Sequence, residues 1–139
     1  MGLYLCVFED DVSDREIDGV EIGAYDDFHA FREAVAQVES RGWGSQFPVL
    51  MLHSDCDGEW SGGELFGLHA ELAAIKTAFA RHQAPDYGPG WQRELASRSG
   101  HHPVCLTDFF IDVDGEPLIE RLASLVEVAL RHERPITFA

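Results

Sequence analysis

Bases are scarce in this chain. Ten lysines and arginines stand against twenty-five aspartates and glutamates, a formal net charge of −15. Phosphate contacts need Lys and Arg, so this balance argues against direct binding of nucleic acid or an anionic membrane. Long apolar runs are missing too. No stretch nears the roughly 20 residues that span a bilayer. Cysteine is limited to Cys6, Cys56 and Cys105, odd in number, widely spaced and without C-x-x-C spacing. That pattern suggests neither a disulfide framework nor a zinc site, but reduced thiols in a cytosolic protein. The opening, Met1 to Glu9, lacks the basic start and small-residue cleavage site of a secretory signal, so a cytoplasmic location is expected. No G-x-S-x-G, H-E-x-x-H, Walker loop or G-x-G-x-x-G occurs. No spacing positions a Cys–His nucleophile pair. A non-enzymatic role is the expectation.

What is present is a single globular domain over residues 1–139, long enough for a core of its own. Residues 2–9 are apolar on both faces and predict a central strand. Gly19 to Ile22 alternates and predicts a strand pairing back on the first. Asp26 is placed to cap a helix over 27–40, with Phe28, Phe31, Val35 and Val38 on one stripe. Phe47 to His53 reads as a strong strand, with Pro48 near its start. Ser61 and Glu64 have capping-box spacing before a helix running to about residue 82, striped by Leu65, Leu68, Leu72, Ile75 and Phe79. Residues 84–90 form a loop, and Trp91 to Ser99 a short helix ended by Gly100. Phe109 to Val113 reads as extended. Asp114 is placed to cap a last helix with Pro117 in its first turn. Leu118, Leu122, Leu125, Val126 and Ala129 line that helix, with Ile119 and Leu130 beside them. Pro135 to Phe138 closes the chain as a strand. The expected class is α+β, with α/β as the alternative: about five strands in a mixed sheet, packed by three amphipathic helices.

One motif occurs twice. D-x-D-G-E stands at Asp55-Cys56-Asp57-Gly58-Glu59 and again at Asp112-Val113-Asp114-Gly115-Glu116, each time between an apolar run and a helix. Three readings compete. The apolar strand ending in Asp112-Val113-Asp114-Gly115 resembles the opening motif of haloacid-dehalogenase-type phosphatases. That resemblance implies a nucleophile at Asp112, an acid/base at Asp114 and magnesium. However, Glu116 replaces the usual Thr, and 27 residues after Asp112 leave no room for the later motifs. A calcium reading fails the EF-hand test, because the Gly is fourth and the twelfth positions are Phe66 and Ala123. An irregular divalent-cation site on Asp55, Asp57 and Glu59 stays open, joined by Asp112 and Asp114 if the two turns meet. The third reading is structural: Asp and Gly make turns, and acids suit helix starts. It fits Asp114 well and the first turn less well, since Ser61 already offers a cap there. His53, two residues before Asp55, is either a base or ligand or a hydrogen-bonded structural histidine.

Met1 to Phe8, the block Leu52-His53-Ser54-Asp55-Cys56-Asp57-Gly58-Glu59-Trp60-Ser61 and the segment Phe110 to Leu118 together resemble the immunity protein 70 family of bacterial polymorphic toxin systems. Trp91-Gln92 and Pro135 to Phe138 extend the similarity over nearly the whole chain. The resemblance implies a protein that binds a cognate toxin domain in the cytoplasm of the producing cell and blocks its active site or substrate access, without catalysis; no cofactor is expected beyond the divalent cation left open above. An acidic protein suits a basic partner groove. On the residues themselves, Asp55, Asp57, Glu59 and Trp60 are the expected contact surface, Trp60 because aromatics often anchor interfaces. The acidic stretch Glu9, Asp10, Asp11 and Asp14 is the alternative surface. Two other functions compete. One is a small metal-dependent hydrolase on the two carboxylate turns. The other is an adaptor that forms homodimers through an exposed helix.

Overall fold

The first strand lies inside the sheet, as its two apolar faces require. A computed structural model, which describes residues 2–139, shows β1 (Gly2–Phe8) flanked on both sides. On one side it pairs antiparallel with β2 (Glu16–Ala24), from Gly2 opposite Ala24 to Phe8 opposite Glu16. On the other it pairs with β4 (Ile136–Phe138), Leu5 opposite Phe138. β3 is the two-residue strand Glu59–Trp60, paired to the far side of β4. The order is β2-β1-β4-β3 and every pairing is antiparallel. The α+β class holds, with four strands among the described residues where about five were expected and an antiparallel sheet where a mixed one was.

The three amphipathic helices are present. α1 (Tyr25–Val38) buries Phe28, Phe31 and Val35. It begins before the expected cap: Asp26 is exposed, and Asp27 accepts the Ala24 N–H at 2.7 Å. α3 (Gly63–Phe79) buries all five residues of its stripe. Half of the expected box forms there, with Glu64 accepting the Ser61 N–H at 3.3 Å, while Gly62 occupies the cap position. α6 (Leu118–His132) buries Leu118, Ile119, Leu122, Leu125, Val126 and Ala129 and packs on α3. Burying one such Leu or Phe contributes about 2–3 kcal/mol. α4 (Trp91–Ser99) ends on Gly100, whose φ of 71° is the left-handed geometry that glycine favours.

Two expected strands do not form: the first is largely a helical turn, and of the second only Phe109 is helical while Ile111 makes a single bridge to Pro117. Phe47 to His53 contains α2 (Pro48–Met51), and Phe109 falls in α5 (Leu106–Phe109). In the first, carboxylates take the N–H groups that a strand would have offered to a neighbour; in the second, Phe109 N donates to Cys105 O, Asp112 N to Glu116 O and Val113 N to Glu21 O. Glu39, 7 % exposed at the end of α1, accepts from Gly44 N at 2.9 Å and from Gln46 N and Phe47 N at 2.8 Å. Glu71 of α3 accepts from Val49 N at 3.0 Å and Leu50 N at 2.9 Å. Burial pushes the Glu71 carboxyl up from its ordinary value, against those two donors, and Glu39 adds to the rise. Pro48 sits at the start of α2, where its missing N–H costs nothing. In α5, Asp108 accepts from Cys105 N at 2.9 Å and fixes the first turn.

Glu39→Ala leaves three backbone donors without a partner beneath the loop. A loss of about 3 kcal/mol is expected in urea unfolding, with Glu39→Gln costing less because it keeps an acceptor oxygen.

Candidate functional site

Residues 54–58 form an exposed loop between α2 and β3, and Glu59 opens the strand. One imidazole lies between its two ends, its neutral form donating to one of two facing carbonyls. His53 Nδ1 lies 2.7 Å from Ser54 O and Nε2 lies 3.0 Å from Glu59 O. The ring stacks on Phe138, 4.3 Å between centroids and 18° between planes, and lies 5.1 Å from the Trp60 ring. Of its two expected roles, His53 fills the structural one. Ser54 Oγ accepts the Cys56 N–H at 3.3 Å, and Phe138 N donates to Gly58 O at 3.0 Å. Asp55, Asp57 and Glu59 stand outward on this clamped segment. None of the three is in an ion pair among the described residues.

Trp60 is placed differently from its neighbours. It is 1 % exposed, packs 4.7 Å from Phe138 and donates its indole N–H to Val49 O at 3.0 Å. Strand alternation sends Glu59 out and Trp60 in. As a contact residue Trp60 is therefore corrected to a core residue: a buried side chain offers a partner no surface.

The second copy of the motif has become a closed turn. Asp112 is 1 % exposed, and its Oδ1 accepts from Asp114 N at 3.0 Å and Glu116 N at 2.9 Å. Asp112, and not Asp114, organises the approach to α6, whose cap position is Pro117. Arg121 Nε lies 3.6 Å from Asp112 Oδ2, and Arg121 Nη2 donates to Gly19 O at 2.8 Å. Val113 N donates to Glu21 O of β2 at 3.0 Å. The second turn thus sits against β2 and the first leads into β3, at opposite edges of the sheet. Three strand spacings separate these edges, about 14 Å. Asp55, Asp57 and Glu59 are not brought together with Asp112 and Asp114. Among the described residues no three His, Cys, Asp or Glu side chains converge on a cation position. The shared divalent-cation site is corrected accordingly.

The alternative acidic stretch is partly neutralised. Arg134 Nη2 lies 2.8 Å from Asp11 Oδ1, and Arg15 lies 3.9 Å from Glu9. Asp10 is held below the usual carboxylate range by the N–H groups of Ser13 and Val12.

Sequence reasoning passed over Arg32. It is 5 % exposed on α1, its guanidinium lies 4.3 Å over the Phe28 ring, and its Nε and Nη2 have no hydrogen-bond partner. Loss of hydration pushes its pKa down to about 10, opposed by the charge of Asp55. The signal was in the spacing: residue 32 is four on from Phe28 and three before Val35, on the buried stripe.

The immunity protein 70 model matches residues 3–138. The chain belongs to the immunity protein 70 family. No match was found among curated proteins or among solved structures. The family match spans every element of the fold, from β1 to β4. It therefore includes both the exposed acidic loop and the closed turn.

Two outcomes test the roles assigned to Arg32 and Asp112. Replacing an unpaired buried cation with a flexible apolar side chain removes a desolvation penalty. Arg32→Met is expected to raise stability by about 1–2 kcal/mol in chemical unfolding, and a fall in stability would overturn that account. At the second turn, Asp112→Ala is expected to cost about 2–3 kcal/mol and Asp112→Asn less, since Asn keeps an acceptor for the two N–H groups. Burial raises the Asp112 pKa above its ordinary value, outweighing the turn N–H groups and Arg121. The folded chain then holds a proton that the unfolded chain releases. The Asp112 contribution is therefore full below the ordinary carboxylate range and falls as pH rises through its folded value. Stability against pH for wild type and Asp112→Asn should differ by a slope of that sign.

Proposed function

We propose that this protein binds and neutralises a cognate toxin domain, without catalysis, in the cytoplasm of a bacterium carrying a polymorphic toxin system. The observation that carries the reading is the immunity-family match over residues 3–138. Two physical features support it. The chain has a formal net charge of −15, which draws a basic partner and repels acidic ones. The segment 54–59 also holds Asp55, Asp57 and Glu59 in a clamped arrangement with their charges unspent, so little further ordering is needed on association. These three carboxylates are proposed as part of the contact surface. The partner is a basic domain, such as one whose own active-site groove binds a polyanion.

The test is growth. The C-terminal domain encoded immediately upstream is expressed in a laboratory bacterium with and without this chain. Relief of toxicity is the expected result, and unrelieved toxicity from a toxic neighbour sinks the proposal. With the complex in hand, Asp55→Asn combined with Asp57→Asn should slow association about 10-fold at low salt and less at high salt, at unchanged melting temperature. A collapse of the fold would instead make the loop structural.

A further inference from the structure

A cavity of about 200 Å³ opens beside the first turn of α1. Its floor is apolar, formed by Phe110, Ile111 and Leu118, and its walls include Tyr87, Gln92 and Asp27. These walls are fixed in place. Tyr87 donates its hydroxyl to Phe109 O at 2.6 Å and stacks on Phe109 with centroids 4.5 Å apart. Asp27 Oδ2 accepts from Ala24 N at 2.7 Å and from the Trp91 indole at 3.1 Å, and Oδ1 accepts from Gln92 Nε2 at 2.7 Å. Gly23 makes this possible: with φ at 123°, a Cβ there would sit 2.5 Å from Asp27 Oδ2 and 2.9 Å from the Trp91 ring. Every donor to Asp27 is neutral, and among the described residues no cation pairs with it. The helix start favours a carboxylate at this place but leaves its charge formally unmatched. Asp26 and Asp86, adjacent in sequence to two wall residues, are exposed and add to the negative charge. The nearby bases Arg93 and Arg98 line a separate hollow on α4 with Glu94.

We propose that this cavity receives one Lys or Arg side chain of the protein partner. The aliphatic stem lies on the apolar floor and the cationic head meets Asp27. The inference rests on the toxin-binding reading. An apolar occupant would strip water from Asp27 without neutralising it, and an acidic one would be repelled. The volume suits one long side chain and falls short of the roughly 300–1,000 Å³ of drug-sized ligand sites.

The site carries its own reporter. Each tryptophan indole has a different acceptor: Met51 O for Trp43, Val49 O for Trp60 and Asp27 for Trp91. ¹⁵N-labelled protein is titrated with n-butylguanidinium, and in parallel with neutral n-butylurea. Saturable movement of the Trp91 indole and Gln92 side-chain signals with the cation alone is expected, while Trp43 and Trp60 stay in place. Asp27→Asn should weaken that response at least ten-fold. Ala30→Leu, which narrows the cavity from α1 and leaves the carboxylate in place, should do the same at unchanged melting temperature. Equal response to the urea, or a motionless Trp91 signal, overturns the proposal. This titration uses no toxin, so its failure is distinct from that of the immunity reading. In the growth assay, relief by wild type and equally by Ala30→Leu, with undiminished toxin affinity, defeats the cavity alone.

Discussion

Two carboxylates, Glu39 and Glu71, hold the segment between α1 and β3, which no strand pairing holds. Between them they take five backbone N–H groups from residues 44–50. The helical turn they fix then presents its carbonyls: Val49 O receives the Trp60 indole and Met51 O receives the Trp43 indole. Trp60 in turn packs on Phe138, and His53 stacks on the same ring. The acidic loop therefore takes its position from a relay of side-chain-to-backbone bonds that begins at the end of α1. Buried carboxylates are costly unless their hydrogen bonds are made, and here the donors are backbone groups that would otherwise be orphaned themselves.

What could be read from the sequence follows from which signals are local. The stripes on α1, α3 and α6 were legible because a 3.6-residue period over a dozen or more residues admits one interpretation. Phe47 to His53 misled because a short apolar run is equally a buried strand or a helical turn. The arbiters, Glu39 and Glu71, lie outside it: Glu71 is 21 and 22 residues from the N–H groups it receives. Phe109 to Val113 misled for the same reason: Asp108 ties down the turn that takes in Phe109, and Asp112 folds the following residues into a closed turn. At the site, the outward carboxylates were legible as a motif. The burial of Trp60 was not, although period-two alternation with Glu59 was a usable clue. The cluster of Asp27, Trp91 and Gln92 spans about 65 residues of chain and left no local signal.

Identical five-residue patterns have been put to opposite uses. In one copy the first Asp is exposed; in the other it is the buried hub of a turn. The difference comes from the surroundings. Next to the second turn, Arg121 and the carbonyls of β2 supply partners; next to the first, the carbonyls are claimed by His53 and Phe138. The second turn also protects the sheet. β2 is a nine-residue edge strand, and the carbonyls of Gly19 and Glu21 along it are already bonded to Arg121 and Val113. An edge occupied in this way, and rich in acids, is a poor template for another strand.

The position of β4 has a consequence in time. Three residues, Ile136–Phe138, separate β1 from β3, and the contact between Cys6 and Thr137 joins positions 131 apart. The β1–β2 hairpin is local and can form early, but its inner edge waits for β4, more than a hundred residues on. Closing so long a loop is slow, because the entropy is lost before the contacts are gained. On the ribosome, the sheet stays half-built until residue 138 has emerged. Until then the chain carries an apolar strand with one bare side, the kind of intermediate that chaperones shield.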